Sequence, residues 1–331
     1  MKILIVPIKT HRQTLHRFIT ASVTVIAVLI IYWLFKSAQI ENEFIFQPCY
    51  IIAALFFALL QKLLSPLIIK MIFQSMNQKT SFLSLFWITM FSTAANSSVP
   101  FPAGVPVRMV LQKRVLDISY PVSASGLIIE MILSYACMII ICIITSMLCL
   151  APMLNDQIII LKKPILSICI IIALILVFVC FIFLRRFKNG LGKYLKYTIE
   201  KIQTANYGIL ILVIVLILFS IIISLVRFEM ILYSMGLYIA PALLLAAMLL
   251  SYLAGVISLI PMGLGVRDVS LGSLLVLLSI PLSLSVSVIT IDRIIISVIY
   301  LIGSVIATHI LGKNMLNLKE KTIEEVNVKN L

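Results

Sequence analysis

The residues best equipped for chemistry stand where the backbone is least regular. In IPMGLGVRD, Ile260 to Asp268, Pro261, Gly263 and Gly265 lead directly into Arg267 and Asp268. In PFPAGVPVR, Pro100 to Arg108, Pro102 and Gly104 lead into Arg108, and both stretches read P-x-G-x-x-x-R. An acid follows each inside a later apolar run: Glu130 after the first, and Asp292, itself followed by Arg293, after the second. Proline removes an amide hydrogen and glycine loosens the backbone, so a helix can stop at either stretch. A helix restarting there presents free N–H groups and the positive end of its dipole. Asp268 is placed to cap the helix carrying Leu271 to Leu278. An arginine fork beside such a helix start is an anion site, and phosphate is its natural guest.

On this reading Arg267 and Arg108 bind a phosphate, Gly263 and Gly265 open the gap, and Asn96, Ser97 and Ser98 line the approach in the first half. The competing reading keeps Arg267 in a tight loop at the membrane surface. A charge at the bilayer centre costs at least about 2.5–3.5 kcal/mol, which argues for a use. Glu130, Asp292 and Arg293 read either as part of the site or as ion pairs joining helices. Arg227 and Glu229 read as solvated charges at a span end. Asn96-Ser97-Ser98 fits a glycosylation sequon, but its apolar setting argues against that use.

The elements that must hold these residues are membrane helices. Of 331 residues, 62% are hydrophobic and 11% charged, and the mean hydropathy is +1.20. Soluble domains hold roughly 45–50% apolar residues. Several apolar runs are long enough to cross about 30 Å of hydrocarbon. The net charge of +14 gathers in short basic clusters at Lys2–Arg17, Lys62–Lys79, Arg185–Lys201 and Lys313–Lys329. That is the positive-inside pattern, so these clusters are expected in the cytoplasm, and no nucleic-acid motif accompanies them. The six cysteines form no C-x-x-C pair and read as small apolar residues, with no metal site.

Apolar runs between basic clusters predict spans near 18–35, 44–60, 124–149, 164–184, 207–226 and 283–311. Residues 61–79 and 185–203 read as amphipathic interfacial helices. Stretches 81–123 and 241–282 are apolar but broken, and side-counting makes each enter and leave on one side, the two from opposite sides. Each is a pair of tight spans or a re-entrant hairpin. Broken segments at corresponding places in two halves point to a midplane site in an inverted repeat. The fold expected is an all-α polytopic membrane protein of about eight membrane segments. A basic tail, 1–17, precedes one transmembrane domain, 18–311, and a polar, mobile tail, 312–331, follows. Both termini are expected in the cytoplasm, with the chain in the cytoplasmic (inner) membrane.

The pattern of Asn96, Pro102, Gly104, Arg108 and Glu130, then Pro261, Gly263, Gly265, Val266, Arg267, Asp268 and Arg293, resembles the membrane region of lysylphosphatidylglycerol synthases. Members of this flippase-like family also occur without the synthase domain. The resemblance covers about residues 18–311. It departs at Asp268, where the family usually has Glu, and at Met131, where Glu130 is often followed by Arg. No soluble aminoacyl-transferase domain follows in these 331 residues, so the chain is not expected to make lysyl-lipid itself. The resemblance implies binding or moving an anionic phospholipid or a polyprenyl-phosphate lipid for envelope assembly, without catalysis or a cofactor. The alternatives are a lipid-linked glycosyltransferase, weakened by the lack of a D-x-D motif, and a membrane partner of an envelope-biosynthesis enzyme. No nucleotide-binding loop is present.

Overall fold

A computed structural model describes residues 47–98, 104–146, 207–258, 263 and 265–329, with side chains placed through 312 except at 97 and 98. Among the described residues the structure is all-helical. The helices are α1 (Pro48–Ser75), α2 (Phe82–Ser98), α3 (Gly104–Leu116), α4 (Tyr120–Thr145), α5 (Tyr207–Ser234), α6 (Pro241–Ile257), α7 (Val266–Leu277) and α8 (Leu282–Lys329). Four stretches, Pro48–Ser75, Tyr120–Thr145, Tyr207–Ser234 and Leu282–Gly312, are long and apolar enough to cross a membrane. The expected tail 1–17, spans 18–35 and 164–184, and amphipathic stretch 185–203 lie outside the described residues.

One expectation is corrected. The span at 44–60 and the interfacial helix at 61–79 are one continuous helix, α1, running through Pro66. Leu64, Ile68 and Ile72 are buried at four-residue spacing, so tertiary packing holds this helix together past its proline. Within the expected polar tail, 312–331, the backbone continues α8 as far as Lys329. Residues 313–329 contain Leu, Lys and Glu, which favour helix, and neither proline nor glycine.

The centre of the fold is α1 lying antiparallel against α5, the most extensive helix pair. The Gln47 N–H donates to the Ser234 carbonyl at 3.0 Å, joining the start of α1 to the end of α5. Around that end, Ala54, Ala58, Phe228 and Leu232 pack with Leu244, Leu275 and Val288 from α6, α7 and α8. Around the other end, Ile68, Ile72 and Phe73 pack with Leu85, Val122, Ile129, Val213 and Ile217 from α2, α4 and α5. The hairpins α2/α3 and α6/α7 are thus based at opposite ends of the central pair.

Both hairpins are short. Helices of 17, 13, 17 and 12 residues make arms of about 18–26 Å at ~1.5 Å per residue, less than the roughly 30 Å of a bilayer core. Each folds back through a close backbone approach that glycine permits. A Cβ on Gly104 would stand 2.7 Å from the Ser92 carbonyl oxygen and 2.7 Å from the Asn96 Cβ. A Cβ on Gly263 would stand 2.9 Å from the Cα of Gly255, and Gly263 has a φ of +63°. Both sterics and backbone torsion therefore oppose a side chain at Gly263.

Replacing Gly263 with Ala is expected to cost about 1–3 kcal/mol, seen as a lower Tm of the detergent-solubilised protein. Gly312→Ala, on α8 with open space around it, is the control. It should leave Tm unchanged or raise it, since alanine favours helix by about 1 kcal/mol.

Candidate functional site

The P-x-G-x-x-x-R arginines stand at the starts of the returning arms, α3 and α7. Arg108, in the second turn of α3, reaches α4, where its Nη1 lies 3.2 Å from Glu130 Oε2. Its Nε and Nη2 are buried without hydrogen-bond partners. Arg267, on the first turn of α7, is 7% exposed. Its guanidinium carbon lies 3.9 Å from the centre of the Tyr252 ring, a cation–π contact to α6 across the hairpin. Among the described residues no carboxylate lies within ion-pair distance of Arg267.

Asp268 serves two helices at once. Its Oδ2 accepts the Gly265 N–H at 3.2 Å, closing the first turn of α7. Its Oδ1 accepts the Arg293 Nε–H at 2.7 Å and lies 2.6 Å from Arg293 Nη2 as an ion pair, joining α7 to α8. The helix begins one turn earlier than Asp268 itself: Gly265, with φ +81°, is the capping residue and Asp268 is the third helical position. From there a carboxylate reaches back to the cap N–H, as in the acidic half of a capping box. Gly265 and Gly263 therefore shape the turn. Asn96 also has a backbone role, its carboxamide oxygen accepting the Gly104 N–H at 3.4 Å.

Asp292 does not pair with Arg267. Its Oδ1 lies 3.1 Å from Nη2 of Arg227, and the two side chains are 5% and 2% exposed. The reading of Arg227 and Glu229 as solvated span-end charges is therefore corrected: Arg227 is among the most buried side chains and Glu229 is half-buried. Asp292 and Arg293 are neighbours on α8, but successive helical residues point about 100° apart, so one turns to α5 and the other to α7. Each of these ion pairs joins two helices: Arg108–Glu130 links α3 to α4, Arg227–Asp292 links α5 to α8, and Arg293–Asp268 links α8 to α7.

Two cavities that share wall residues lie beside these charges. One, of about 200 Å3, is lined by Gln61, Ser65, Glu130, Ser134, Ser220, Ser224 and Tyr252 among apolar residues. The other, of about 170 Å3, shares Gln61, Ser65 and Ser220 and adds Lys62, Thr89, Thr93 and Tyr300. Each motif arginine stands behind a residue of the first cavity, Arg108 behind Glu130 and Arg267 behind Tyr252. The Tyr252 phenol is within electrostatic reach of Arg267, Lys62, Arg227 and Asp292.

Sequence reasoning missed most of this lining. Lys62 was assigned to a cytoplasmic loop by the positive-inside pattern, yet it lies near the middle of α1 and donates to the Tyr300 hydroxyl at 2.5 Å. The available signal was the Gln61-Lys62 pair inside an apolar run extending on both sides. Gly255, the partner of Gly263 in closing α6 against α7, gave no signal: glycine in an apolar helix is common. Among the described residues no three metal-ligating side chains cluster.

The buried Arg227–Asp292 pair makes a clear prediction. Asp292→Asn leaves a guanidinium uncompensated and is expected to cost about 3–5 kcal/mol in chemical or thermal unfolding. Arg227→Met combined with Asp292→Leu should recover most of that loss, since removing both charges removes the need for pairing.

A family model described as Lysylphosphatidylglycerol synthase TM region matches residues 19–303, which takes in both hairpins and all three ion pairs. No curated protein and no solved structure matches the chain. With four apolar spans, two glycine-closed hairpins and a match over most of its length, the chain is a multi-pass membrane protein that belongs to the lysylphosphatidylglycerol synthase transmembrane-region family.

Proposed function

We propose that the protein binds the phosphate of an anionic lipid in the cavity between its two hairpins and carries that headgroup across the bilayer. The observation that carries this reading is Arg267, a buried guanidinium stacked on a cavity-lining tyrosine with no carboxylate within ion-pair distance among the described residues. The other described arginines inside the bundle, Arg108, Arg227 and Arg293, each have a carboxylate. A cation is expensive in hydrocarbon, and a bound phosphate would supply the missing charge.

In this mechanism the arms α2/α3 and α6/α7 are re-entrant hairpins from opposite faces, related as inverted repeats. Their bases at opposite ends of the α1–α5 pair and their sub-bilayer lengths support this. The headgroup occupies the polar cavity while the acyl or polyprenyl chains stay in lipid. Movement of one hairpin against the central pair opens the cavity to one leaflet, and movement of the other opens it to the second. The role is transport or binding rather than catalysis, in a cytoplasmic membrane with both termini inside. An anionic phospholipid and a polyprenyl-phosphate lipid both offer the required group.

Native mass spectrometry of gently extracted protein tests this reading. Wild type is expected to retain a phosphate-bearing lipid, and Arg267→Ala to lose about tenfold or more in retention, the worth of one charge-assisted contact. Equal retention by the two proteins would leave Arg267 as a packing and topology residue and overturn the proposal.

A further inference from the structure

Lys62 is the cation that itself lines the cavity wall. It sits on α1, faces the smaller cavity with Gln61, Ser65, Thr89, Ser220 and Tyr300, and its ammonium also lies 4.2 Å from the centre of the Tyr300 ring. Its partner is the Tyr300 hydroxyl. Among the described residues no carboxylate lies within 4.0 Å of it, in contrast to Arg108, Arg227 and Arg293. An ammonium on an apolar helix is costly at mid-membrane, and hydroxyls and an amide offset only part of that cost.

From this geometry we infer that Lys62 and Tyr300 form a second anion station, in a cavity that shares wall residues with the one beside Arg267, and that the ligand is a phosphate oxyanion that engages both. The inference rests on the lipid-phosphate reading above. Gln61, Ser65 and Ser220 line both cavities, so a headgroup passing between them keeps hydrogen-bond partners throughout. Two cations without carboxylates match a ligand of one to two negative charges: a phosphodiester, a phosphomonoester or a diphosphate. The ammonium suits a transit station, because it is a point charge on a flexible stem that can follow a moving phosphate, whereas the guanidinium is held against a ring.

The test uses the full chain in detergent micelles doped with phosphatidylglycerol, with phosphatidylcholine-doped micelles and inorganic phosphate alone as separate arms. Lys62→Met, Lys62→Arg and Arg267→Ala are compared with wild type by ligand-induced Tm shift and native mass spectrometry. Lys62→Met removes an unpaired charge from the membrane interior, so its ligand-free Tm should equal or exceed that of wild type. Its phosphatidylglycerol affinity should fall about tenfold, as for loss of one charged contact, while Lys62→Arg should stay within about threefold of wild type. A Lys62-dependent shift with the lipid but not with inorganic phosphate assigns the station to a lipid headgroup, and an equal shift with both assigns it to free phosphate. Normal lipid affinity in Lys62→Met with loss in Arg267→Ala overturns the Lys62 station and leaves the lipid reading standing. Normal affinity in both variants overturns both. A lower ligand-free Tm in Lys62→Met with unchanged affinity makes Lys62 a structural residue and also overturns the inference.

Discussion

Charge buried in hydrocarbon must be compensated from within, because no water is present to solvate it. That constraint organises this fold. Arg108 ties the returning arm of one hairpin to α4, Arg293 ties the returning arm of the other to α8, and Arg227 ties α8 to the central pair. Each tie joins different helices, so together they fix how the hairpins sit on the α1–α5 pair. Dispersion between apolar side chains favours many similar packings of greasy helices, whereas an ion pair in low dielectric strongly favours one. Arg267 and Lys62 stand outside this set of pairs, and both lie beside the cavity.

Glycine makes the hairpins possible. The α2/α3 turn needs backbone where Gly104 meets Ser92, and the α6/α7 turn needs it where Gly263 meets Gly255. These approaches bring the arms close enough for Arg267 to lie flat on Tyr252 and for Asn96 to accept the Gly104 N–H. Asp268 then satisfies the exposed start of α7 and, through Arg293, attaches it to α8. The turn and the charge network share residues, so neither can be altered without strain on the other.

Residue types made several features legible. The hydropathy of the chain fixed the class, and Pro and Gly in PFPAGVPVR and IPMGLGVRD marked where α2 gives way to α3 and α6 to α7. The pairing of Arg108 with Glu130 was foreshadowed by an arginine and a membrane-run acid in succession. The partner of Asp292 was not legible: it turns to Arg227, a residue on a helix whose sequence position says nothing about that meeting. Lys62 was misassigned for a related reason: a lysine near an apolar run counts as a topology signal unless a partner such as Tyr300, far away in sequence, receives it.

Membrane character, helical composition, the two broken stretches and the family pattern were determined by sequence alone, since each depends on local chemistry: transfer energy of side chains, missing amides and permitted torsions. The identity of each ion pair, the continuity of α1 through Pro66 and the lining of the cavity were decided only by tertiary structure. Those features depend on which helix faces are brought together. Helical periodicity reveals that a face exists, and long-range packing alone selects the face that meets it.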